Sequence, residues 1–562
     1  MQAARIGAVV LPVRPWWAPI HAGAWWLLRR SAVLRVPAAL PWVIGALAIT
    51  TVIIFDFGPN LGFNDDWLYA WSAAHVSWSG IPRLPIQAAS GYVQAVWGYV
   101  MTAGQPEPYT LRLSVLPFVA LASYSSYSLA RRLRASRLWA GFAGVALLTT
   151  PVYLNLSTSF MTDVPYIALL LAAADAAVAW LQDGKRRLLC IALVALATLQ
   201  RQIAVVFPVP LTLALLLGRK ERRLDRLDAL YLGLLWVVAA VVHQLPVALG
   251  SATPVEQSYI SYHLFHPDLG LLWRSVGYLP ASLGFFLLPF AAALLFQARS
   301  ERRWPSFLSA GAALLGTAGL VAVFFHFRAG QSLLPGDIWM DTGFVPTSWG
   351  PKPAIFPAPL RTAIELLATI TFVALLLVAW KQWSRSVLGT AGFFLVLLAA
   401  VQTVETILAF TFDRYYLVIA ALLVPVLAAA ATRTTLPRLA TAWACAAAVI
   451  GVALYAVAQQ DYEAWQQARD QAAQLAYSYV PAAQVHAGYE PNAAYVTVPE
   501  YERLGGNVDI QGMLSFLIVG PEHPSVVLMF AKPDDPRPGV SYSSLAPGKI
   551  VISGDLPARR QP

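Results

Sequence analysis

The chain has 562 residues, of which 58% are hydrophobic and only 12% charged. A soluble domain carries about 25% charged residues, so this composition excludes an ordinary water-soluble protein and points to lipid. The formal charge of +10 would suggest nucleic acid in a soluble chain, but here the basic residues gather in short connections such as Arg131-Arg132-Leu133-Arg134, Lys185-Arg186-Arg187 and Arg219-Lys220-Glu221-Arg222-Arg223. They fall on alternate connections, the positive-inside pattern, so the charge encodes orientation and no nucleic-acid partner is expected.

Residues 1–35 carry Arg5, Arg14, Arg29, Arg30 and Arg35 with the pairs Trp16-Trp17 and Trp25-Trp26. They read as a cytoplasmic interfacial segment ahead of an uncleaved anchor, which puts the N-terminus inside. The first apolar stretch, 36–56, matches the roughly 20 residues a helix needs to cross a bilayer. An aromatic outer loop, 57–109, follows; it contains Phe63-Asn64-Asp65-Asp66-Trp67 and two amphipathic stretches, Trp67 to Trp78 and Gln87 to Thr102, expected to lie on the surface. Adjacent carboxylates at headgroup depth suit a general base, since partial desolvation and like charge both favour the protonated form. They suit a helix N-terminus equally, where acids cap exposed amides, and spacing alone divides the two readings evenly.

Further spans are expected near 110–130, 137–154, 164–182, 188–200, 203–218, 228–248, 272–297, 305–327, 361–380, 387–412, 416–431 and 437–457, about thirteen crossings in all. The fifth and sixth share the turn Leu199-Gln200-Arg201-Gln202 and are alternatively one kinked or re-entrant pair. Asp163 stands in Thr162-Asp163-Val164-Pro165. Pro165 fits a first helical turn, so capping by Thr162 or Asp163 is the favoured account on spacing. Its interest is its place on the same outer surface as Asp65 and Asp66. Arg201 and Arg414 fall at outer span ends, where a lone Arg is costly unless paired or functional; snorkelling to the interface is the plain alternative. Arg328, Lys352 and Arg83 on outer loops are weaker cation candidates, for which solvation is the simpler account.

His263 and His266, one helical turn apart, are compatible with a divalent metal site, though an interfacial aromatic helix explains them more simply. Asp175, Glu365 and Glu405 fall inside spans, where acids face a bundle interior. Cys190 and Cys445 offer neither a disulfide framework nor metal spacing. Residues 459–562 are mixed in polarity, with runs such as Ser525-Val526-Val527-Leu528-Met529-Phe530 between turn signals. They read as a small extracytoplasmic α/β or mostly-β domain. The expected fold is thus an all-α polytopic membrane protein: residues 1–35, a transmembrane domain over 36–458, and the C-terminal domain over 459–562.

Four stretches then take on a common meaning: Asn64-Asp65-Asp66-Trp67, Tyr109-Thr110-Leu111-Arg112-Leu113 through Arg131-Arg132-Leu133, Pro151 through Pro165, and Asp413-Arg414-Tyr415-Tyr416. In order and sidedness they resemble the C-type (GT-C) glycosyltransferases, in the branch with protein O-mannosyltransferases and bacterial lipid A aminoarabinose transferases. The likeness covers most of residues 36–430 and leaves the C-terminal domain unmatched. It implies an inverting transferase of the bacterial cytoplasmic membrane. Such an enzyme moves a sugar from a polyprenyl-phosphate donor to a lipid, glycan or protein acceptor on the extracytoplasmic face. It also implies that Asp65 or Asp66 is the catalytic base, with Asp65 favoured; the family motif often reads Asp-Glu where this chain has Asp-Asp. Asp163 would help hold the acceptor or a divalent ion. A lipid-phosphate leaving group needs cations, with Arg201 and Arg414 as first candidates and Lys352 and Arg328 behind them. A polytopic transporter or lipid flippase is the alternative; it calls for internal repeats and midplane charge, of which only Asp175 and Glu405 speak for it. A structural or partner-binding role centred on the C-terminal domain is a third.

Overall fold

In lipid every backbone amide and carbonyl must find its partner inside the segment, so long uncharged runs become helices. The computed structural model describes residues 37–55, 63–78, 80–218, 225–256, 269–294, 338–340, 343–344, 352–383, 389–408, 412–434, 437–503 and 524–554. Six helices in it are long and apolar enough to cross a membrane: Tyr109–Arg132, Asp163–Asp183, Arg226–Ala248, Gly389–Leu408, Asp413–Ala431 and Pro437–Tyr477. A seventh crossing results if Ser275–Phe286 and Leu288–Leu294, bent by 61°, are one span. Leu40–Phe55, Arg187–Gln200 and Gln202–Leu217 are apolar but shorter, and Ala358–Trp383 covers the expected span 361–380. The thirteen expected crossings are therefore not matched one for one, and the span expected at 305–327 lies outside the described residues.

Two differences have clear causes. The stretch 137–154 is not one helix but Arg137–Val145, a 3-10 turn at Leu147–Thr149 and a new helix Pro151–Leu156. Pro151 has no N–H to continue a helix, and Thr150 turns extended and accepts the Tyr153 amide to cap the next one. The pair 188–200 and 203–218 breaks at Arg201, whose backbone is extended. The first of these helices has 14 residues, about 21 Å long at 1.5 Å per residue and too short for a 30 Å hydrocarbon core.

At the centre lies Asp163–Asp183, buried along almost its whole length. A helix apolar on every side belongs inside a bundle, and its run of alanines lets the neighbours at Leu116–Arg132 and Arg187–Gln200 approach closely. Tyr166 on this helix donates to Gln402 Oε1 at 3.0 Å. Asp175, which kept the transporter reading open, accepts from Ser128, Arg132 and Arg186. It thus ties two basic connections to the central helix. Both cysteines are free thiols.

The helix Pro437–Tyr477 has 41 residues, about 60 Å of continuous α-helix. The polarity change near Asp461 therefore marks no break in the backbone. Gly451 lets it touch the Leu147–Thr149 turn, since a Cβ there would lie 1.9 Å from the Thr149 carbonyl oxygen. Its far end carries a four-stranded sheet in the order Val485–His486, Val526–Ala531, Gly548–Gly554, Gly539–Tyr542, the first pair parallel and the others antiparallel. Alternate residues of Val526–Ala531 are buried, and Phe530 meets Trp465 of the long helix edge to face at 5.4 Å. The short helices Tyr489–Asn492 and Val498–Arg503 lie in the same stretch as this small sheet.

Candidate active site

The first outer loop supplies one side of the site. Asn64 is left-handed, φ 47°, a conformation that Asn tolerates better than most side chains. The turn presents Asp65 at the N-cap of the helix Asp66–Ala74, yet its carboxylate makes no cap hydrogen bond. It accepts from the Tyr489 hydroxyl at 2.7 Å and lies 3.5 Å from Arg414 Nη2. Asp66 takes the local role instead, accepting the Phe63 amide at 2.9 Å. Burial pushes the Asp66 carboxyl up to about 7, while Arg112 and the Phe63 amide pull the other way.

The second side comes from the start of the central helix. Asp163 is its first residue and fully buried, and the cap residue Thr162 gives no side-chain cap hydrogen bond. Asp163 lies 3.1 Å from Arg201 Nη2 and 3.6 Å from Arg414 Nη1. Capping, one of two even readings for Asp65 and the favoured one for Asp163, thus gives way at both, whose carboxylates face guanidinium groups.

Arg201 reaches the site because the chain breaks at that residue, and its Nε donates to Thr162 Oγ1 at 3.2 Å. Gln200 holds the break in place. Its side-chain amide donates to the Thr162 carbonyl and to Gln94 Oε1, and its own Oε1 accepts the Gln94 amide. The Gln200 carbonyl accepts the Gly91 amide at 3.0 Å; Gly91 has φ 64° and a Cβ there would press on the Tyr69 ring. Arg414 opens the helix Asp413–Ala431, and both guanidinium groups lie over the Tyr415 ring, at 5.2 Å and 5.7 Å.

Asp65, Asp163, Arg201 and Arg414, assigned from sequence to four separate segments, therefore meet in one cluster of two carboxylates and two guanidinium groups. The separations of 3.1–3.6 Å exceed the 2.7–2.9 Å of a tight charge-assisted hydrogen bond. The cations are close enough to share an anion between them.

Other expectations are not met at this place. Lys352 lies away from the cluster, buried against Asp461 Oδ2 at 2.6 Å; Ser544 donates to the other oxygen of that carboxylate. Arg83, expected in solvent, is buried and pairs with Glu256 and the Ser251 carbonyl. Arg328, His263 and His266 fall outside the described residues, and so does the side chain of Glu405. Among the described residues no three His, Cys, Asp or Glu gather as a metal site. The places beside Asp65 and Asp163 that a divalent ion would need are taken by guanidinium groups. No step is derived through a metal.

Tyr489 and Glu490 had no signal in the sequence, being more than 400 positions from Asp65 in a domain that matches no motif. Glu490 accepts the Asn64 amide at 3.2 Å and pairs with Arg469 at 2.9 Å, so the C-terminal domain grips the first acidic motif.

Residues 102–246 match the family model described as dolichyl-phosphate-mannose-protein mannosyltransferase. The matched segment contains Asp163 and Arg201. The match supports the resemblance to the C-type glycosyltransferases, in the mannosyltransferase branch, that the motifs carry. Among solved structures it is similar to ArnT from Cupriavidus metallidurans bound to undecaprenyl phosphate, at 16% identity and a TM-score of 0.41, over 92% of this chain and 98% of that one. The apo form of the same protein gives 18% and 0.40 over the same shares. An oligosaccharyltransferase from Archaeoglobus fulgidus in complex with Zn and sulfate gives 13% and 0.37, over 84% of this chain and 57% of that one. No curated protein matches the sequence.

Proposed function

We propose that this protein is an integral-membrane glycosyltransferase that takes a sugar from a polyprenyl-phosphate donor and passes it, with inversion, to an acceptor hydroxyl on the extracytoplasmic face of the bacterial cytoplasmic membrane. The observation that carries the reading is the meeting of Asp65 and Asp163 with Arg201 and Arg414. Asp65, the more exposed of the two carboxylates, takes the proton from the acceptor hydroxyl as its oxygen attacks the anomeric carbon. The bond from that carbon to the phosphate oxygen breaks on the opposite face. Arg201 and Arg414 hold the departing phosphate's charge, the kind of preorganised electrostatics that contributes most to such reactions. Asp163 keeps the two guanidinium groups together and in register for that task. Tyr489 fixes the orientation of the base from the C-terminal domain.

The test is turnover by the full-length protein in lipid nanodiscs, following release of polyprenyl phosphate from a radiolabelled lipid-linked sugar. Asp65→Asn is expected to slow release by about 10²- to 10⁴-fold, the usual contribution of a general base. Release at the wild-type rate from both Asp65→Asn and Asp66→Asn would end the reading.

A further inference from the structure

A cavity of about 370 Å³ opens between the helix Asp66–Ala74, the helix Pro108–Leu113 and the C-terminal domain. None of the contacts proposed above for base or phosphate uses it. Its wall includes Asp66 and Trp67, immediately after Asp65, and Phe160, three residues before Asp163. It therefore adjoins both acidic motifs while Asp65 itself faces Arg414 and Tyr489. A separate apolar cluster, in which Leu68, Leu84 and Ile86 pack with Ala493, fastens the C-terminal domain beside it.

The chemistry of the wall is specific. Trp67, Trp71 and Tyr495 give aromatic faces, and the rest of the wall is shared between apolar residues and polar or charged ones, a mix that can both stack on and orient a small ligand. The Trp67 indole N–H is buried and finds no partner among the described residues. Three carboxylates, Asp66, Asp470 and Glu490, stand against the guanidinium groups of Arg112 and Arg469. With the Asp66 carboxyl pushed up to about 7, these charges come close to balance and favour a neutral guest. The wall suits a pyranose ring, whose C–H faces stack on indole and whose hydroxyl groups donate to carboxylates and accept from N–H groups.

We infer that this cavity, half built by the C-terminal domain, receives a neutral pyranose ring of the acceptor, so that the acceptor is a glycan or glycolipid. The inference rests on the glycosyltransferase reading for the word acceptor, but its test does not. Saturation-transfer NMR on the full-length protein in nanodiscs, with no donor present, uses the methyl pyranosides of glucose, galactose, mannose and N-acetylglucosamine as probes. Ala494→Trp blocks the cavity at an exposed wall position, where folding tolerates the change, and Trp71→Ala removes one stacking face. At least one probe is expected to bind the wild type, to lose its signal in Ala494→Trp, and to bind about fivefold more weakly to Trp71→Ala. Binding that survives Ala494→Trp overturns the inference. So does the absence of binding by all four probes, or the binding of a Ser/Thr peptide that the sugars do not displace. Failure of the glycosyltransferase reading is seen separately, in the turnover of Asp65→Asn.

Discussion

Arg414 is the residue on which the cluster turns, because its planar guanidinium faces Asp65 with one nitrogen and Asp163 with another. Lysine keeps the charge but is a single point donor and cannot span two carboxylates. Arg414→Lys is expected to lower donor turnover by about 10²-fold, the usual loss when one preorganised charge contact is removed, with little change in melting temperature. A wild-type rate would show that the span is not used. Asp66 makes a different prediction. Its folded carboxyl titrates near 7 against an ordinary 3.8, so between those values the folded chain holds a proton that the unfolded chain releases. Its contribution to stability is full below pH 4 and is lost as pH rises through 7. Melting of Asp66→Asn, followed in detergent from pH 4 to 8, is expected to lose this downward slope relative to wild type; an unchanged slope would refute the assignment. The carboxylates and the two arginines were legible in the sequence because charge at the edge of apolar spans is rare and needs a reason. Their partners were not. Spacing suggested caps for Asp65 and Asp163, and only the fold shows those carboxylates turned to Arg201 and Arg414.

Among the elements, the broken helix at Arg201 and the long helix Pro437–Tyr477 do the positioning. The Leu199-Gln200-Arg201-Gln202 turn was visible as a polar interruption, but three of the four hydrogen bonds made by Gln200 depend on Gly91 and Gln94, more than a hundred residues away, and the fourth on Thr162. Lys352 shows the same limit. A lysine on an outer loop reads as a solvated or phosphate-binding group, and nothing local reveals that Asp461 will be buried against it. Breaking a buried pair leaves one charge uncompensated, at a cost of about 3–5 kcal/mol. Lys352→Met is expected to destabilise the protein by that order, and Lys352→Met with Asp461→Leu to recover most of it. A double variant no more stable than the single one would deny the pair its role. The pair joins the segment at 352 to the long helix, and Ser544 brings in the connection between the strands Gly539–Tyr542 and Gly548–Gly554, so three segments meet at one carboxylate.

For the whole molecule, composition and the long apolar runs were enough to give a mostly helical polytopic chain, and the β-branched runs near its end pointed to the strands found there. The number of crossings was not readable in the same way, since several apolar runs are cut by Pro151, by the break at Arg201 or by the bend between Phe286 and Leu288. The most consequential feature lay beyond pattern reading altogether: the unmatched C-terminal domain reaches the first acidic motif through Tyr489 and Glu490. The proposed transferase draws on a pool of lipid-linked sugar, so its loss is expected to leave that pool undischarged. Mass spectrometry of lipid-linked sugars in cells lacking the protein, restored with either the wild type or Asp65→Asn, measures that directly. One polyprenyl-phosphate sugar should accumulate in the deletion and with Asp65→Asn, and return to normal with the wild type. Lipid-linked sugar pools identical in all three strains would contradict the account.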